Sequence, residues 1–164
     1  MAKGTHDFAA DPRNEDILIN INGAMTPRAQ ATVSVFDSGF MLGDGVWEGL
    51  RVHRGKIAFL DAHLDRLFEG SKAIAMDIGI TREALVDRLY ETISGNAMAD
   101  QEGVHIRLMV TRGIRSTPYQ DPRVVISPAT IVIIPEYKEA LPSTVENGIR
   151  LFTVHVRRGD PAVQ

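Results

Sequence analysis

Cysteine is absent from this 164-residue chain, which excludes disulfide staples and thiolate chemistry and agrees with a cytoplasmic home. Long apolar runs are absent too. The longest, ATIVIIP at 129–135, is far short of the roughly 20 residues a membrane-spanning helix needs. The five histidines, His6, His53, His63, His105 and His155, never take a metal-ligand spacing, so no metal is expected. No Gly-x-Ser-x-Gly elbow occurs. The glycines are not spaced as a nucleotide fingerprint. Arginines are dispersed without interleaved aromatics, and the net charge of −3 gives no pull toward nucleic acid or an anionic membrane.

With 44% hydrophobic and 24% charged residues, the composition is that of a globular domain, long enough to bury about 70% of its unfolded surface. The first sixteen residues, MAKGTHDFAADPRNED, carry no apolar core of a secretory signal and read as a polar, mobile arm. Ile17–Ile21 followed by Asn22-Gly23 predicts a strand entering a two-residue type I′ hairpin turn. Thr32–Phe36 alternates polar and apolar and predicts another strand. Gly45–His53 and Lys56–Leu60 predict a second hairpin. Asp61 is expected to cap a helix with an apolar stripe of Leu64, Leu67, Phe68, Ile74, Ala75 and Ile78. Thr81 caps a second, striped by Leu85, Val86, Leu89, Tyr90 and Ile93 and stopped at Gly95-Asn96. Val104–Thr111, Ala129–Ile134 and Ile149–Val156 complete the strands. The expected fold is α+β, an antiparallel sheet of five to seven strands with two helices packed on one side.

The densest unit runs from 37 to 70, DSGFMLGDGVWEGLRVHRGKIAFLDAHLDRLFEG. A glycine-punctuated loop (Gly39, Gly43, Gly45) leads into a strand carrying Trp47 and Glu48, then into an Arg54-Gly55 turn and a helix. This order resembles the small N-terminal domain of the class IV pyridoxal-phosphate enzymes, the branched-chain and D-amino-acid aminotransferase family. The resemblance covers Ile17 to Val156. It implies an arm over 1–16, a small domain over 17–156 and the start of an interdomain linker over 157–164. The Schiff-base lysine and the acidic partner of the pyridinium nitrogen would then lie in a large domain beyond Gln164. No catalytic residue is expected within these 164 residues, which alone should not transaminate.

Pattern alone makes Asp65, Arg66, Glu69 and Lys72 the solvated side of a helix. The segment HLDRLFEGSKAI resembles the family helix whose arginine holds the cofactor phosphate, and the match falls on Arg66. Period-two alternation puts His105 and Arg107 on one strand face. There the branched-chain members carry aromatic-x-Arg beside the substrate, and this chain has His105 at the aromatic position. In D-amino-acid members TRG is followed by an Arg-x-His pair that binds the substrate carboxylate; TRGIRSTPYQDPR offers Arg112, Arg115 and Arg123 without that pair, and Arg115 is the substrate-binding candidate. Trp47 matches an aromatic that faces the site, though a sole tryptophan also suits a core. Glu48 then faces the other way, toward Arg51 or Arg66.

The resemblance implies pyridoxal 5′-phosphate as cofactor, amino-acid and 2-oxo-acid substrates, and a homodimer in which the 112–128 connection serves the neighbouring site. Two other readings stand beside it: part of an aminodeoxychorismate lyase-like enzyme, and a stand-alone, non-catalytic binding domain of the same fold.

Overall fold

Asn22 and Gly23 both adopt positive φ, 54° and 95°, as a type I′ turn requires. They join β1 (Leu18–Ile21) to β2 (Ala24–Pro27) as an antiparallel hairpin. The computed structural model describes residues 10–139 and 142–157, except the side chains of 143–145. Four further strands, β3 (Gly45–His53), β4 (Lys56–Ile57), β5 (Val104–Thr111) and β6 (Thr130–Tyr137), complete one antiparallel sheet of order β2-β1-β6-β5-β3-β4. Helix α1 (Ser38–Leu42) precedes β3, while α2 (Leu60–Ala73) and α3 (Arg82–Gly95) form the second layer. A short α4 spans Pro142–Asn147. The expected α+β architecture, with the two long helices on one side of the sheet, is the one observed.

Alternation sorts the sheet into two faces. Leu50 and Val52 of β3, Ile106, Leu108 and Val110 of β5, and Ile131 and Ile133 of β6 point inward. They meet Leu64 and Leu67 of α2 and Leu85, Leu89 and Ile93 of α3 in a single core. The opposite face of β3 and β5 presents Trp47, Gly49, Arg51, His105, Arg107 and Met109. Thr81 caps α3 as expected, its hydroxyl accepting from the Ala84 amide at 3.2 Å. Asn96 at the far end exchanges two hydrogen bonds with the Leu18 backbone, at 2.7 and 2.9 Å. The end of α3 is thereby tied to β1.

Gly45 opens β3 because no other residue fits there. A Cβ would sit 2.5 Å from the Val110 carbonyl oxygen of the paired strand. Gly45→Ala must therefore push β3 from β5 and is expected to cost about 1–3 kcal/mol in urea unfolding; an unshifted midpoint would contradict the close approach.

Several local expectations need correction. Thr32–Phe36 is not a strand: the Ser34 hydroxyl and carbonyl accept from the Phe36 and Asp37 amides, closing a turn that leads into α1. Its alternation is genuine, but Val33, Val35 and Phe36 are exposed and have no strand beside them. Ile149–Val156 likewise forms no strand, and Ile149, Leu151, Phe152, Val154 and Val156 lie exposed. The cap of α2 is Phe59, in left-handed conformation at φ 52° and without a side-chain bond. Asp61 instead lies within the first turn, where its charge suits the helix dipole, and accepts from Arg82 at 3.0 Å. The returning strand of the second hairpin stops at Ile57, since α2 begins at Leu60.

The arm expected over 1–16 is docked in its described part. Asn14 exchanges hydrogen bonds with the Tyr137 backbone at 2.8 and 2.9 Å, and the Arg13 guanidinium stacks 4.1 Å over the Tyr137 ring. Residues 1–9 lie outside the described residues, as does all but the first residue of the linker expected over 157–164.

Candidate functional site

The inward face of β3 holds one carboxylate among its apolar residues. Glu48 has a side chain only 3% exposed, and burying a lone charge is prohibitive unless it is paired and hydrogen-bonded. Arg66, two turns into α2, supplies the pair. Its Nε donates to Oε1 at 2.7 Å and its Nη2 to Oε2 at 2.5 Å, a side-on fork that a planar guanidinium forms with a carboxylate. His63, one turn earlier on the same helix, approaches Oε2 through Nδ1 at 2.8 Å. Burial pushes the Glu48 carboxyl up, but the hydrogen bonds from Arg66 and His63 outweigh it and hold it below the usual carboxylate value. Of the two partners open to Glu48, Arg66 is the one in place; Arg51 sits on the other face and donates to the Lys138 carbonyl at 2.5 Å.

Only the side-on edge of Arg66 is engaged by Glu48. No described residue accepts from Nη1, and the side chain is 62% exposed. A cation anchored on one edge and open on the other can take a second anion end-on. That is the geometry a phosphate monoester needs, so Arg66 fits the group that the resemblance assigns it.

On the open face, the Arg107 guanidinium lies 4.0 Å over the Trp47 ring. The contact is diagonal across the β3–β5 pair, because Arg107 stands opposite Gly49 and Trp47 opposite Met109. Gly49 leaves room at this point: a Cβ there would approach His105 Nε2 to 3.3 Å. Trp47 is 61% exposed and therefore not a core residue. No described residue accepts a hydrogen bond from Arg107, so its donors remain available to a ligand, with the aromatic face holding the cation in place. Burial and the neighbouring charges of Arg51, Lys138 and Arg107 lower the His105 pKa to about 4. His105 is therefore an uncharged imidazole at neutral pH.

The structure brings Trp47, His105 and Arg107 together and places Arg66 elsewhere, in the helix layer under the other side of β3. Arg115 joins neither group. Its side chain is 1% exposed and donates to Ser38 Oγ at 3.0 Å, to the Tyr119 and Asp121 carbonyls at 2.7 and 3.0 Å, and to Asp44 at 3.2 Å. With those donors committed, Arg115 ties the 112–126 connection to α1. Asp44 also receives a fork from Arg112, at 2.7 and 3.0 Å, and Arg112 donates onward to the Ile74 and Ala75 carbonyls at the end of α2.

Two residues were missed from sequence. His63 could have been noticed at three residues before Arg66 on one helix face; Asp44 carried only its place between two glycines. Among the described residues no group of three or more His, Asp or Glu could hold a metal, and no helix is long and apolar enough to cross a membrane.

The family model described as Amino-transferase class IV matches residues 45–164. The chain is 40% identical over 92% of its length to the branched-chain-amino-acid aminotransferase-like protein 1 of Arabidopsis thaliana, covering 26% of that protein. Among solved structures, it is similar to the 4-amino-4-deoxychorismate lyase of Pseudomonas aeruginosa, at 30% identity and a TM-score of 0.61 over 84% of this chain and 47% of that one. It is also similar to the branched-chain aminotransferase of Thermoproteus uzoniensis solved with norvaline, at 26% identity and a TM-score of 0.61 over 74% and 40%. The chain thus spans about a quarter to a half of the length of each.

Proposed function

The chain belongs to the class IV aminotransferase family, and from that premise we propose that it is the small domain of a pyridoxal-phosphate enzyme that moves an amino group between an amino acid and a 2-oxo acid. The observation that carries the reading is Arg66: a cation held from beneath by a buried carboxylate, with its outer edge open to a second anion. Pyridoxal phosphate, when bound, supplies an electron sink for the bond changes at the amino-bearing carbon. This chain's residues bind and orient. Arg66 holds the phosphate, while Arg107, braced on Trp47, receives an anionic group of the substrate. His105, uncharged beside them, offers a hydrogen bond without adding charge. The lysine that carries the cofactor belongs to the remainder of the parent protein, so the 164 residues alone are inactive. Arg115 acts by holding the connection in shape and not by touching substrate.

The exposed apolar row Val33, Val35, Phe36 and Phe40 supports a covering protein surface over this loop, as a homodimeric parent would provide. A second reading, release of pyruvate from aminodeoxychorismate, is favoured by the 30% identity to the Pseudomonas lyase.

The full-length protein, supplied with pyridoxal phosphate, is expected to convert branched-chain amino acids to 2-oxo acids at the expense of a second 2-oxo acid. Pyruvate release from aminodeoxychorismate with no amino transfer would select the second reading, and the absence of both activities would overturn the proposal. In the active protein, Arg107→Ala is expected to raise the substrate KM about ten- to hundredfold, because a charge-assisted hydrogen bond is lost, with kcat changed less. A wild-type KM would take Arg107 out of the site.

A further inference from the structure

We propose that His63 is a positioning residue for Arg66: it fixes the shared Glu48 carboxylate so that the outer edge of the guanidinium is held ready for a phosphate. The inference rests on the reading of Arg66 as the phosphate-holding cation. An arginine on a helix surface is a long, mobile side chain, and ordering it on ligand binding costs rotamer entropy. That cost falls if the guanidinium is already clamped, and the clamp is only as rigid as the carboxylate beneath it. The terminal torsion of a glutamate is soft, so two bonds from one mobile arginine would leave both partners free to swing together. The third bond comes from a different side chain on α2 and breaks that freedom. Oε2 receives Arg66 Nη2 at 2.5 Å and His63 Nδ1 at 2.8 Å from the same helix face.

The proton can be placed by chemistry. A ring nitrogen at 2.8 Å from an ionised carboxylate oxygen must carry the hydrogen, since two acceptors would repel at that distance. Nδ1 is therefore protonated and donates to Glu48. The 3.3 Å approach of Arg66 Nη2 to the same Nδ1 is then two donors converging on one oxygen, and not a bond between them. His63 Nε2 has no partner among the described residues. His63 thus serves Arg66 through Glu48, at its Nδ1 end.

The test titrates pyridoxal phosphate into the full-length protein by fluorescence, comparing wild type with three variants. His63→Leu removes the donor and is expected to weaken binding about tenfold. His63→Asn restores an N–H near the Nδ1 position and should bind within about twofold of wild type. His63→Gln places its amide near Nε2 instead and should bind as weakly as leucine. Unchanged affinity in His63→Leu, or better rescue by glutamine than by asparagine, would overturn the proposal. Nitrogen-15 shifts of the His63 ring in the wild-type protein without ligand give a second, independent reading. A protonated Nδ1 is expected, and an unprotonated Nδ1 beside a protonated Nε2 overturns it. Arg66→Ala, run in parallel, separates the two ideas. Full affinity there removes the phosphate assignment itself, whereas loss at Arg66 with none at His63→Leu removes only the role of His63.

Discussion

Arg66→Ala is expected to weaken pyridoxal-phosphate binding by the full-length protein about a hundredfold, ~3 kcal/mol, the upper range for hydrogen bonds to a charged group. The magnitude follows from the preparation of the site. Glu48 already occupies the inner edge of the guanidinium, so binding needs no rearrangement, and truncation removes a preorganised fork. Arg66→Lys keeps the charge but cannot serve Glu48 and a phosphate along two edges at once, so its affinity should fall between alanine and wild type. The same substitution has a second readout. Without Arg66, Glu48 keeps, among the described residues, only His63 as a partner in a place where its side chain is 3% exposed. Burial, which raises the Glu48 carboxyl, is then opposed by less.

The sign of the resulting pH effect is fixed. In the native chain the Glu48 pKa lies below its unfolded value, so its contribution to stability is present above the unfolded pKa and is lost as pH falls through the folded one. Arg66→Ala should remove much of that contribution, giving a protein less stable at neutral pH and less sensitive to acid in that range. Cofactor affinity equal to wild type would end the assignment of Arg66, whatever the stability showed.

Much of the fold was readable because its signals are local. Asn22-Gly23 demands positive φ, Thr81 needs only an amide three residues on, and β5 shows period two in Val104, Ile106, Leu108 and Val110 against His105 and Arg107, broken only by the apolar Met109. The failures share a cause. Alternation at Thr32–Phe36 and at Ile149–Val156 states which residues could share a face, but a strand also needs a neighbour, and neither segment has one among the described residues. Phe59 gave no warning as the start of α2, because nothing in a phenylalanine requires φ 52°; the tight return from β4 imposes it.

The site was partly legible for the same reason. Period two put His105 and Arg107 on one face, and their meeting with Trp47 follows from register alone. Which partner Glu48 would take, and that Arg115 would be buried, depend on how α2 and the 112–126 connection pack. Those contacts join residues 18 and 71 positions apart, beyond the reach of local pattern.

Asp44 joins two segments that sequence leaves unconnected, and Asp44→Ala is expected to lower the unfolding free energy by ~3 kcal/mol, as for other ion pairs broken from one side. Arg112 and Arg115 share this one carboxylate. Arg115 is almost wholly buried, so removing Asp44 strands a cation where water cannot reach it. Its bonds to Ser38, Tyr119 and Asp121 satisfy donors, and the Asp121 carboxylate, turned mainly to Arg123, answers only a small part of the charge. Asp44 itself is about one-fifth exposed, at 19%, and the carbonyls left to both arginines soften the loss, which places the expected cost at the low end for such pairs.

Asp44→Asn retains an acceptor of the same shape and should cost about half as much. The Arg112 fork, ahead of Arg115, holds the Asp44 carboxyl below its usual value. Its stabilisation therefore disappears as pH falls through that lowered value, and Asp44→Asn should flatten the acid limb of the stability curve. Urea midpoints at neutral and acid pH measure both effects. The experiment also decides what Arg115 does. A structural tie predicts that Arg115→Ala shifts the midpoint as Asp44→Ala does, whereas a substrate ligand predicts a raised KM at unchanged stability. A midpoint equal to wild type in Asp44→Ala would mean that the 112–126 connection is held by the Arg115 bonds to Ser38 and to the Tyr119 and Asp121 carbonyls alone, with nothing added by the Asp44 pairing.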